Sequence, residues 1–222
     1  MVATERPLTA TPPRASGSLL RRLLAGGTDG NEELTAITAV VLLALLAALG
    51  VTVLRVHQLL NPHMFLGMLL LGPVSLKIAS TGYRFTRYYT GDARYVKKGP
   101  PELVMRLTAP IVVLSTIGVF ATGVVLLVAG PSSRSPFSAL HKGSFIIWVA
   151  ATAIHVLGHL PQLPGSLRAG ARTRERSWDD HGSGRGGRAL ALAAAIVGGV
   201  LLAILVEPLF ASWAHAVNFG DH

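Results

Sequence analysis

Five long apolar runs, nearly free of charge, set the limits on what this chain can fold into. They lie at about 34–56, 64–81, 103–129, 143–160 and 189–206. A run of about 18 or more apolar residues is long enough to cross a bilayer as a helix. The third run makes the case most plainly, because no ionisable side chain occurs from Leu107 to Ala129. Soluble domains carry about a quarter charged residues. Here the fraction is 14%, and the charges gather between the runs rather than within them. The polar–apolar alternation of membrane β-strands is absent. The expectation is an all-α integral membrane bundle of about five transmembrane helices over residues 31–210. A disordered basic cytoplasmic tail over 1–30 precedes it, and an outer interfacial tail over 211–222 follows.

Local signals mark the joints. The first 30 residues combine several Pro and Gly with Arg6, Arg14, Arg21 and Arg22, a composition that buries little. The apolar run that follows is of full span length, longer than the core of a signal peptide. Asn31, Glu32 and Glu33 suit the positive end of a helix. Asn61-Pro62 predicts a break, Pro73 a kink, and Gly130-Pro131 and Leu160-Pro161 predict helix ends. The stretch Tyr83-Arg84-Phe85-Thr86-Arg87-Tyr88-Tyr89 alternates rings with guanidinium groups, as a membrane interface favours.

The charge pattern predicts an orientation. Lys and Arg in short loops favour the cytoplasmic side. With the N-terminus inside, the inner segments hold four, seven and six Lys or Arg, leaving outside only Arg55, Arg134 and Lys142. The expectation is a cell-membrane protein with a cytoplasmic N-terminus and an extracytoplasmic C-terminus. The net charge of +9 is then accounted for by topology and by contact with membrane lipid. No nucleic-acid-binding motif accompanies it, and no nucleic-acid partner is expected.

Ionisable groups in or beside the spans are costly to bury, and they are the candidates for function. They are His57, His63, Lys77, His141, His155 and His159. His141 and His155 are 14 residues apart in one span. That spacing is nearly four whole turns, so both face one way, about 21 Å apart along the axis. His63 and Lys77 have the same spacing in a helix running the same way. His63 therefore lies at the depth of His141, and Lys77 at that of His155. The chain has no cysteine, which excludes disulfides, cysteine-held iron–sulfur clusters and the CxxCH attachment of haem.

The His141–His155 spacing, the parallel His63 and the nearby Gly67, Gly143 and Gly158 resemble the pattern of transmembrane b-type cytochromes. These include the cytochrome b subunits of respiratory complexes and ferric-reductase-like bundles. The resemblance covers about residues 34–160. It implies one or two haem b groups, with His63, His141 and His155 as iron ligands. It further implies electron relay across the membrane or the anchoring of a redox partner subunit, or a quinone as partner. Those families place a second histidine where this chain has Lys77, so the inner site departs from their pattern. Arg55 and Lys142, beside His57 and His141, would suit haem propionates. The stretches Ser80–Phe85 and Gly99-Pro100-Pro101 also resemble a group of actinobacterial multi-pass membrane proteins, a likeness that supplies no activity.

Two other readings stay open on the sequence. His57, His63, His141 and His215 could gather around another metal near the outer surface, since imidazole suits zinc, copper and iron alike. The chain could also be a non-redox membrane protein, a transporter or a scaffold for partner subunits. The spans lack Asp and Glu, which weighs against a transporter. No Walker, nucleotide or catalytic-triad signature appears.

Overall fold

The computed structural model describes residues 27–97, 99, 103–159 and 185–218. In chain order they form α1 (Gly27–Leu54), α2 (Leu60–Tyr89), a short α3 (Ala93–Val96), α4 (Leu103–Ala129), a 3-10 turn (Pro131–Ser133), α5 (Arg134–His159), α6 (Arg185–Val206) and α7 (Pro208–Asn218). No strand occurs among the described residues. Five helices, α1, α2, α4, α5 and α6, are long and apolar enough to cross a membrane. The chain is an all-α helical bundle of the multi-pass membrane type. Most of the N-terminal tail and of the basic loop after α5, with His181 and His222, lies outside the described residues.

The bundle is two hairpins of unequal company. α1 and α2 pack antiparallel, and α6 lies against α2, giving a three-helix unit. α4 and α5 form the second hairpin, and α5 packs on α4 without packing on α2. The α2–α6 crossing is tight because glycine meets backbone. A Cβ on Gly72 would run into the carbonyl of Ala195, and one on Gly199 into that of Leu69. Lipid provides no hydrophobic force between helices, so close approach over small residues is what gives such a pair its dispersion energy. Large apolar side chains such as Val40, Leu54, Leu114, Ile146 and Leu205 stay exposed. In water this would be a liability, whereas acyl chains solvate it.

α7 joins the two units at one end. Phe210 and Trp213 are buried with Met68 of α2, Leu127 of α4 and Ala203 of α6. The Trp213 indole N–H donates to the Leu127 carbonyl at 3.3 Å, which satisfies the one polar atom of a buried ring. The segment expected as an interfacial tail is therefore, up to Trp213, a helix wedged into the bundle end.

At the opposite end α2 runs on past its apolar stretch. Its 30 residues reach about 45 Å, more than the hydrocarbon thickness requires. The ring-and-arginine stretch forms this overhang. Arg84 pairs with Glu32 of α1 at 3.4 Å, and Arg87 pairs with Asp92 at 2.6 Å while lying over the Tyr83 ring. Arg106 of α4 donates to the Tyr89 hydroxyl at 2.9 Å. At the other end of α2, Pro62 sits in the first turn, where its missing N–H costs no hydrogen bond. The break between α1 and α2 consequently falls just before Asn61-Pro62.

Candidate functional site

Each of the three candidate histidines is tied to a threonine on the neighbouring helix. His63 of α2 has its Nδ1 at 3.0 Å from Thr52 Oγ1 of α1. His141 of α5 has its Nδ1 at 3.2 Å from Thr122 Oγ1 of α4. His155 of α5 has its Nδ1 at 3.0 Å from Thr108 Oγ1 of α4. All three rings are half-buried, and Thr52 is buried.

The α4–α5 hairpin repeats one arrangement at two depths. Thr108 and Thr122 are 14 residues apart, as are His141 and His155. Antiparallel packing therefore sets Thr122 against His141 and Thr108 against His155. Between the two pairs, the Trp148 indole donates to Thr116 Oγ1 at 3.0 Å. Beside the outer pair, Ser144 Oγ lies 2.9 Å from Thr122 Oγ1. The interface of this apolar hairpin is thus a polar seam running the length of the span.

His63 and His141 stand on helices that are not packed together. The two imidazoles lie within electrostatic reach of each other, while α5 is packed on α4 and stands off α2. The His141 ring rests against Gly123 of α4, where a Cβ would approach Cε1 to 3.0 Å. Cβ atoms added at Gly67, Gly118 or Gly143 would meet nothing within 4 Å.

The inner pair expected from the sequence is held differently. Lys77 donates from Nζ to the Thr35 carbonyl of α1 at 2.8 Å. Thr35 Oγ1 also donates to Ser80 at 3.2 Å, and Ser80 donates to the Lys77 carbonyl at 3.0 Å. Lys77 is part of the α1–α2 interface, and His155 part of the α4–α5 interface. Arg55, His57 and Lys142 are exposed at the end of the bundle that carries the α1–α2 turn. Neither Arg55 nor Lys142 forms an ion pair among the described residues.

The donor set narrows the chemistry. Among the described residues no three of His, Asp or Glu gather as a metal-holding group; of the zinc or copper set His57, His63, His141 and His215, the side chain of His215 lies outside the described residues. Two imidazoles on different helices, within electrostatic reach of each other, are a donor set that suits axial ligation of a haem. A search of protein families, of curated proteins and of solved structures finds no match to this chain.

Proposed function

We propose that this protein is a b-type cytochrome-like membrane protein that relays electrons across the bilayer or anchors a redox partner. The observation supporting the proposal is that His63 and His141, each tied to a threonine of a neighbouring helix, lie within electrostatic reach of one another although α2 and α5 are not packed together. Haem b held by this pair would supply the one-electron chemistry. His63 and His141 would bind the iron, and Thr52 and Thr122 would orient the rings. Arg55 and Lys142 at the outer end would meet the propionates. The apolar walls would exclude water and so tune the potential. A second haem would rest on His155, which has its own threonine. Lys77 would have to leave Thr35 to take part there.

The orientation belongs to the same proposal. The cytoplasmic side is taken as the end carrying Arg84, Arg87, Arg94 and Arg106, by the asymmetry of Lys and Arg. That end would meet anionic lipid headgroups, and the His63–His141 pair would lie toward the outer surface.

The test is an optical spectrum of the protein purified with haem supplied, oxidised and dithionite-reduced. A Soret band with sharp reduced bands is expected. His63→Ala and His141→Ala should each remove the same component, and His155→Ala should leave it. A wild type without any Soret band would end the cytochrome reading and favour a scaffold or transporter.

A further inference from the structure

The threonine contacts fix more than ring position, because hydroxyl hydrogens can be counted. A threonine hydroxyl has one hydrogen and two acceptor lone pairs. Thr52 Oγ1 lies 2.6 Å from the Leu49 carbonyl of its own helix, and a carbonyl can only accept. The hydroxyl hydrogen is committed there. The same oxygen stands 3.0 Å from His63 Nδ1, and with its hydrogen directed to the carbonyl it is left to accept from a hydrogen on Nδ1. The outer partner repeats the logic. Thr122 Oγ1 lies 2.8 Å from the Gly118 carbonyl, which takes its hydrogen. It therefore accepts from His141 Nδ1 at 3.2 Å. Ser144 does not upset the count: its own hydrogen goes to the His141 carbonyl at 3.0 Å, so Thr122 spends its hydrogen away from the ring whether it donates to Ser144 or to a carbonyl. The Val119 carbonyl, 3.1 Å from Thr122 Oγ1, is likewise only an acceptor.

A neutral imidazole with its hydrogen on Nδ1 has its lone pair on Nε2, and which nitrogen binds a metal is set by the bond the other makes. We infer that Thr52 and Thr122 are positioning residues that hold His63 and His141 in the Nδ1–H tautomer, making Nε2 of both rings the metal-binding nitrogen. Thr108 Oγ1 lies 3.0 Å from His155 Nδ1, one register repeat along the same hairpin. The inference deepens the haem reading, but its tautomer statement holds for the haem-free protein and can be tested there.

The experiment uses the full chain in lipid nanodiscs, without haem, carrying ring-15N histidine, at pH 8 where imidazoles are neutral. Nitrogen shifts distinguish the two tautomers, and loss of a signal in His63→Gln or His141→Gln assigns it. Both rings should show the Nδ1–H form. Thr52→Val, close in shape, should shift His63 toward the Nε2–H form and leave His141 alone, and Thr122→Val should do the reverse. Thr→Ser at either position should restore the wild-type signal, which a purely structural role would not predict. An Nε2–H tautomer in the wild type overturns the inference, as does a valine variant with unchanged tautomers. With haem supplied, Thr122→Val should weaken haem binding about tenfold or more, again with rescue by serine. A wild type that binds no haem yet shows the Nδ1–H form in both rings defeats the cytochrome reading and leaves the positioning role standing.

Discussion

Gly123 is the residue on which His141 leans, and it gives a sharp test of the outer pair. An added Cβ would sit 3.0 Å from His141 Cε1, so the ring must give by a few tenths of an ångström. Gly118, on the same helix, has open space where its Cβ would be. Gly123→Ala should therefore shift the reduced band attributed to the His63–His141 pair and loosen haem retention severalfold. Gly118→Ala should leave both unchanged. Equal effects at the two positions would mean that the ring contact does not matter. Lys77→Met separates two roles of the lysine. Its ammonium donates to a helix carbonyl and has no ion-pair partner among the described residues. Removing it takes a costly group out of the span, so thermal stability should hold or rise and the outer band should persist. A lost spectral component would make Lys77 a ligand after all. At this scale the histidines were legible in sequence because ionisable groups are so rare in the spans. Their threonines were not. A threonine in an apolar helix satisfies itself by bonding a carbonyl one turn back, as Thr38, Thr116 and Thr122 do. Nothing in composition distinguishes such a residue from one that also faces a histidine, although the 14-residue repeat of Thr108 and Thr122 was there to be noticed.

Among the elements, the α2–α6 pair depends on one glycine of an adjacent two. Gly199 is buried against the Leu69 backbone, while Gly198 would present its Cβ to open space. Gly199→Leu should destabilise the bundle by about 1–3 kcal/mol through overpacking. Gly198→Leu should cost almost nothing. Thermal unfolding in detergent, followed by circular dichroism, measures the difference, and similar midpoints for the two variants would contradict this helix crossing. The apolar runs identified the five spans because length and lack of charge are summed over many residues. Helix ends were less legible. α2 continues to Tyr89 because Arg84 and Arg87 have carboxylate partners beyond the apolar run, in Glu32 and Asp92. Sequence alone could not supply those partners. Residues 211–222 were read as an interfacial tail because a ring such as Trp213 suits headgroup level as well as a core. Only the cleft among Met68, Leu127 and Ala203 decides between the two.

For the whole molecule, the proposed orientation follows from an odd number of spans and a lopsided charge. Antiparallel packing puts the α1–α2 turn, the Gly130–Ser133 turn and α7 at one end. The other end carries the α2 overhang with Arg84, Arg87 and Arg94, and the start of α4 with Arg106. Burying or translocating that cationic end would be costly, whereas an anionic cytoplasmic leaflet attracts it by about 1 kcal/mol per Lys or Arg near the surface. The absence of cysteine makes the orientation directly measurable, since any introduced thiol is the only one present. Ser132 and Thr90 are both exposed and lie at opposite ends of the bundle. In intact cells, Ser132→Cys should react with a membrane-impermeant maleimide. Thr90→Cys should react only after the membrane is opened. The converse pattern would turn the bundle over and move the His63–His141 pair to the cytoplasmic side. Labelling of both thiols in sealed cells would mean that the five helices do not each cross the membrane once.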